Sequence, residues 1–306
     1  MSADNIGSEA IEEIRSGMKQ ADYLCDDGIA TALFLADRLG KPILAEGPAG
    51  VGKTDLAKAY SRYSGFPLIR LQCYEGLDEA KALYEGNYKK QLLRIQADSG
   101  SGDSWEDLED DLFSEEFLLP RPLLKAITSE DRVVLLVDEV DKADVEFEAF
   151  LLEILSDFQV SVPELGTVRA RQMPFVVLTS NRTRDLSEAL RRRCLYLYID
   201  FPDQARELEI IRLRVPGIAE KLAERVLAVV RYMRQMDLKK VPSISETLDW
   251  ASAVTVIGSD AIDEELLSSM LSLLVKEQKD LEKVQGNLRT IARQAGTEQD
   301  CSRDAG

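Results

Sequence analysis

The sequence predicts an α/β fold in which a parallel five-stranded sheet, covered by helices, is followed by a separate all-helical domain. Three observations carry this reading. Five short apolar runs alternate with stretches long enough for helices, which is the pattern of a parallel sheet. A glycine-rich turn at residues 47–54 stands between the first run and a helical stretch. After Phe201-Pro202-Asp203 the strand signals stop and only helical periodicity remains.

Residues 1–40 read as helical, with Ile29, Leu33 and the run from Leu35 to Leu39 close to a 3.6-residue period. The five strands are expected at 42–45, 68–71, 133–137, 175–179 and 195–199, with a helix over 53–63. Their near-continuous apolar composition is what a sheet covered on both faces requires. Two segments break the pattern. Residues 98–116 hold nine carboxylates and no base, and read as a solvated acidic loop. Residues 158–171 alternate around Pro163-Glu164-Leu165-Gly166 and read as a β-hairpin. Beyond 202, Leu222, Val226, Val229 and Met233 form one helical face. Ser243 and Glu246 are spaced as a capping box, and Leu267, Leu271 and Leu274 mark a further helix. The division is therefore an α/β core over 1–201, a helical domain over 202–290 and a polar tail over 291–306.

Composition removes several chemistries. With 306 residues, 45% apolar and 30% charged, the chain can bury a sizeable core. It contains no histidine, which excludes Ser-His-Asp triads, Cys-His nucleophiles, His-ligated zinc or haem, and a histidine pH switch. A net charge of −17 argues against nucleic acid held by bulk electrostatics. Cys25, Cys73, Cys194 and Cys301 stand far apart and fit a reducing compartment. The N-terminal residues lack a secretory signal, and no apolar run approaches the ~20 residues of a membrane helix. The expectation is a soluble, cytoplasmic protein without stable membrane insertion.

Gly47-Pro48-Ala49-Gly50-Val51-Gly52-Lys53-Thr54 matches GxxxxGK(S/T), with a strand before it and a helix after it. The glycines let backbone N–H groups close around a phosphate at a positive helix terminus. Lys53 would reach the β/γ-phosphates of ATP, and the Thr54 hydroxyl would ligate Mg²⁺. The third strand delivers Asp138 and Glu139 at its C-terminal end, where α/β sheets bind ligands. Asp138 would hold Mg²⁺ through water, and Glu139 would take a proton from the attacking water. The fourth strand presents Asn181, placing an amide near that water or the γ-phosphate. Arg191, Arg192 and Arg193 follow a helix expected at 185–190. Two roles stay open for them: complementing the helix C-terminus, or acting as an arginine finger. Asn181-Arg182-Thr183-Arg184 lacks the lysine and aspartate of a guanine reader, which argues against a GTPase.

The order GPAGVGKT, VVLLVDEVDKAD, LTSNRTRD, LRRRC, FPD and a helical domain resembles the AAA+ ATPases, and within them the MoxR group, in particular its CoxD-like branch. The stretches 71–78, 117–124 and 242–250 carry the closer likeness, which covers about residues 20–260. The resemblance implies a P-loop core with strand order 5-1-4-3-2, a C-terminal helical lid and a homo-oligomeric ring, usually a hexamer. Residues 47–54 become Walker A, Asp138 and Glu139 Walker B, and Asn181 sensor 1. The segment after the second strand resembles the helix-2 insertion, and 158–171 the pre-sensor-1 hairpin. Arg193 best matches the finger position, with Arg192 and Arg191 next. Ile244 stands where many relatives carry a sensor-2 arginine. The family implies a chaperone acting with a von Willebrand factor A protein on a protein client, here a metalloenzyme under maturation such as a molybdenum hydroxylase of the carbon monoxide dehydrogenase type. A nucleotide-gated adaptor and a nucleic-acid-linked motor remain the rival classes.

Overall fold

The computed structural model describes residues 3–86, 118–162, 166–259 and 261–294. It forms two compact units, one of residues 1–47 and 53–198, the other of 48–52 and the chain from Ile199 onward. The expected acidic loop at 98–116 lies outside the described residues.

The first unit opens with α1 (Ala3–Gln20) and α2 (Asp27–Leu39). The break in the single helical stretch read from the sequence has a local cause, since Asp26 caps α2 by accepting from the Ile29 N–H at 2.7 Å. Gly40 ends α2 in the left-handed conformation and hands the chain to β1 (Ile43–Glu46). The glycine-rich loop then leads into α3 (Lys53–Ser64), and β2 (Leu68–Gln72) follows.

The segment after β2 holds α4 (Glu79–Leu83), β3 (Tyr84–Gly86) and β4 (Leu118–Pro120), the last two paired antiparallel. Residues 87–117 between them are outside the description. Next come α5 (Pro122–Thr128), β5 (Val134–Asp138), a 3-10 turn (Val140–Lys142) and α6 (Val145–Asp157). The hairpin is present as β6 (Gln159–Val162) paired antiparallel with β7 (Gly166–Arg169). Then follow β8 (Phe175–Ser180), α7 (Glu188–Arg193) and β9 (Leu195–Tyr198).

The main sheet runs β2-β5-β8-β1-β9 with every neighbouring pair parallel. Counted among its own five strands, this is the order 5-1-4-3-2. Every residue of β1, β5 and β8 is buried, whereas the edge strands β2 and β9 are only partly so. The apolar runs thus mark strands covered on both faces. Leu44, Leu135, Val137 and Leu178 pack with Leu123, Ile127, Phe147 and Leu151 in one core cluster. Tyr60 of α3 stacks on Phe175 at 3.8 Å between ring centroids.

The second unit is helical: α8 (Gln204–Arg214), α9 (Glu220–Gln235), α10 (Ile244–Ile257), α11 (Glu264–Leu274), α12 (Gln278–Gln285) and α13 (Leu288–Gln294). Its core holds Val226, Val230, Met233, Trp250, Leu267 and Leu271. The helix α13 carries a fully buried Ile291 into that core, so ordered packing continues past residue 290 to Gln294. Arg234 grips Glu207 with two bonds of 2.8 Å and donates to the Pro242 carbonyl at 2.7 Å. This pair, with Glu207 buried and Arg234 partly so, fixes the chain just before α10. There the Ser243 N–H donates to Glu246 Oε2 at 2.9 Å, closing the capping pair. Gly50 belongs to this unit: at φ +75° a Cβ would fall 2.1 Å from Ser243 Oγ, so both space and backbone require glycine.

Candidate functional site

The site is built at the C-terminal ends of β1, β2, β5 and β8, where a parallel sheet presents its loops. β1 ends in Glu46, and Gly47, Gly50 and Gly52 take φ values of 154°, 75° and 95°. Only glycine adopts these conformations without cost, which is why a backbone-lined loop can form here. Lys53 opens α3, is buried, and donates from Nζ to the Gly47 carbonyl at 2.8 Å, spanning the loop. Burial lowers the Lys53 ammonium below the usual lysine value, while Asp141, Asp138 and Glu139 pull it back.

Asp138 closes β5 and is almost fully buried. Its Oδ1 accepts from the Thr54 hydroxyl at 2.9 Å and the Thr179 hydroxyl at 2.6 Å. Its Oδ2 accepts from Arg70 Nε at 3.0 Å and Nη2 at 2.6 Å. The Thr54 hydroxyl and the Asp138 carboxylate therefore meet, although 84 residues separate them. Two hard oxygen donors converging beside a glycine loop suit Mg²⁺ carried with phosphates, because that ion keeps most of its ligands as water and phosphate oxygen. Among the described residues no cluster of three or more metal-binding side chains occurs.

Glu139 sits at φ 56°, ψ 51°, a left-handed backbone rarely taken by a side-chain-bearing residue and found where a site stores strain. Its N–H donates to Thr179 Oγ1 at 2.9 Å. Asn181 Nδ2 donates to Oε1 at 3.1 Å. Gln72 Nε2 and Lys142 Nζ donate to Oε2 at 2.8 and 2.6 Å. Asp141 is buried beneath the turn and accepts from the N–H groups of Asn181 and Thr183, at 3.2 and 2.9 Å, and from the Thr183 hydroxyl at 2.7 Å. Cys73 is also close by, but burial, reinforced by Asp138, Asp141 and Glu139, pushes its thiol up to about 12 and removes it as a nucleophile.

The three arginines lie inside the last turn of α7 rather than after it. Arg191 is committed within its own chain, pairing with the buried Glu46 at 2.9 Å. Arg192 pairs with Glu188 one helical turn earlier. Arg193 is exposed, and among the described residues its guanidinium has no ion-pair partner.

Lys53, Thr54, Asp138, Glu139 and Asn181 are thus brought into one place. Arg70, Gln72, Thr179, Asp141 and Lys142 join them without having been singled out in the sequence. Arg70 and Gln72 did leave a signal, as polar residues two apart in an otherwise apolar strand and hence on one face of it. The register sets Gln72 beside Asp138.

A family model described as the ATPase family associated with various cellular activities (AAA) matches residues 43–202. The chain is similar to the denitrification regulatory protein NirQ of Pseudomonas aeruginosa, 23% identical over 74% of this chain and 79% of that one. It is also similar to the protein NorQ of Paracoccus denitrificans, 24% identical over 90% of this chain and 95% of that one. Among solved structures, the P216G mutant of Thermotoga maritima RuvB matches with 20% identity and a TM-score of 0.47, over 86% of this chain and 70% of that chain.

Proposed function

We propose, from the premise that this chain belongs to the AAA family of ATPases, that it works as a MoxR-type member: a Mg²⁺- and ATP-dependent homo-oligomeric ring that remodels a protein client. The observation that carries the catalytic part is the 2.9 Å bond between Thr54 and Asp138, which joins the two halves of the nucleotide site. Lys53 would hold the β/γ-phosphates, and Thr54 and Asp138 would hold Mg²⁺. A Mg²⁺ held there would supply neutralisation of the phosphate charge. Glu139 acts as general base on the attacking water, and Asn181, already bonded to it, orients that water. Because Gln72 and Lys142 also hold Glu139 through Oε2, that oxygen faces the water only once one of these donors lets go.

The likeness to NirQ and NorQ over 74% and 90% of the chain supports the MoxR placement, and the first of those names ties that relative to denitrification regulation. The CoxD-like stretches add a client class, a molybdenum hydroxylase under maturation, and a von Willebrand factor A partner. Ring number and the roles of Arg191, Arg192 and Arg193 belong to the same reading.

Lys53→Ala should abolish ATP binding, since it removes a side-chain cation that spans the loop. Glu139→Gln should bind ATP but turn over about 10²–10⁴-fold more slowly. An affinity pull-down with the Glu139→Gln protein in ATP should retain client and partner together. Wild-type turnover in that variant would remove Glu139 as the base, and equal recovery of proteins without nucleotide would remove the ATP-driven remodelling.

A further inference from the structure

Arg70 stands on an edge strand, half exposed, yet its guanidinium reaches the almost fully buried Asp138. It places two donors on one oxygen, Oδ2, at 3.0 and 2.6 Å. The other oxygen, Oδ1, is taken by Thr54 and Thr179. A guanidinium stays charged at any physiological pH, so this grip is a permanent cation set against the carboxylate. Arg70 also donates to Gln72 Oε1, which turns the opposite end of that amide toward Glu139. One side chain therefore touches the carboxylate assigned to Mg²⁺ and, through Gln72, the carboxylate assigned as base.

We infer that Arg70 is an internal competitor for the divalent cation at Asp138, setting how much Mg²⁺ the site demands and coupling metal arrival to release of Glu139. This rests on the reading of Asp138 and Thr54 as the metal-side groups. The physics is that of a tax on binding: a metal that needs Oδ2 must first displace Arg70, which weakens its apparent affinity by the fraction of time the pair is open. Displacing Arg70 costs little in absolute terms, because its side chain is half solvated and regains water on leaving. Its departure also frees Gln72 Oε1, so the amide loses the contact that fixes its orientation toward Glu139.

The test uses the full-length protein and a fluorescent, non-hydrolysable ATP analogue, so that binding is read without turnover. Nucleotide affinity is measured first in EDTA and then across a Mg²⁺ titration. Arg70→Met should lower the Mg²⁺ concentration at half effect by roughly 2- to 5-fold, the range set by a partly exposed ion pair, while leaving the metal-free affinity unchanged. Arg70→Lys keeps the charge but loses the two-donor grip, and should shift the midpoint the same way by less; it also serves if the methionine variant melts early. Two results would overturn the proposal. A loss of metal-free affinity with an unmoved Mg²⁺ midpoint would make Arg70 a phosphate contact. An unmoved midpoint with unchanged metal-free affinity would make it only an edge-strand ion pair. Asp138→Asn separates the underlying assumption, since a wild-type Mg²⁺ midpoint in that variant would overturn the metal site itself, whatever Arg70 does.

Discussion

Asp141 shows how a buried carboxylate can fix the loop that carries a candidate site residue, Asn181. It lies in the 3-10 turn after Glu139, and its carboxylate collects the N–H groups of Asn181 and Thr183 and the Thr183 hydroxyl. Burial alone would raise its pKa, but the bonds from Thr183 and Asn181 outweigh burial and hold it below the ordinary 3.8. A carboxyl depressed in the folded state contributes stability above its unfolded value and loses it as pH falls through the folded one. The stability difference between wild type and Asp141→Asn should therefore be constant from neutral pH to about pH 5 and close below 3.8, by denaturant melts at each pH. Its size should be about 1.5–3 kcal/mol, typical of hydrogen bonds to a charged group. A gap that persists unchanged at pH 3 would show that the anion is not what holds the loop. At this scale the sequence was legible where a motif has fixed spacing, as for Lys53, Thr54, Asp138 and Glu139. It was silent where the partner comes from another strand. Gln72 reaches Glu139 only because β2 lies beside β5 in this register, and no local spacing encodes that neighbour.

At the level of elements, the start of helix α10 is where the sequence resemblance implied an arginine in relatives and this chain has Ile244. Ile244 occupies its first turn and is 6% exposed, so the position that resembles a sensor-2 arginine site is filled by a packed side chain. Arg234 bonds to this helix start and is committed to Glu207, Thr247 and the Pro242 carbonyl. It is a structural brace of the helical unit. Ile244→Arg would bury a cation at the positive end of a helix, which the helix dipole disfavours. The expected cost is about 1–3 kcal/mol for a buried polar group without a partner. Chemical denaturation of the variant measures it, and a melt indistinguishable from wild type would mean that the helix start opens to accept the arginine. The elements themselves were readable because burial on both faces leaves an uninterrupted apolar run, as in β5 and β8. The short pair β3–β4 was not, because three-residue strands carry no periodicity to detect. The split of residues 1–40 into α1 and α2 was also hidden, resting on one aspartate cap within a continuous helical pattern.

For the whole molecule, the question is whether one chain holds a complete catalytic site. The geometry of α7 bears on it directly. Glu46, buried at the end of β1, ties down Arg191, and Glu188 pairs with Arg192, so two of three adjacent arginines are spoken for within the chain. Arg193 remains exposed at the helix end with its charge unneutralised among the described residues. In the proposed ring, that end would serve the neighbouring subunit's nucleotide. A finger supplied in trans is worth about 10³–10⁵ in rate in GTPases, far more than any helix-end effect. Arg193→Ala should then bind ATP through an intact loop yet be nearly inactive. Arg191→Ala should instead lose stability, because it leaves the buried Glu46 carboxylate with only the longer 3.8 Å pairing to Arg182. Mixing Arg193→Ala with Lys53→Ala subunits should recover part of the activity, since some interfaces would pair an intact loop with an intact finger. Steady-state hydrolysis against mixing ratio, with assembly followed by sedimentation, reads this out. Activity that never exceeds either parent while mixed assemblies form would place Arg193 in cis or reduce it to a helix cap. The search for the finger would then turn to Arg192, whose exposed pairing with Glu188 is the weaker of the two remaining commitments.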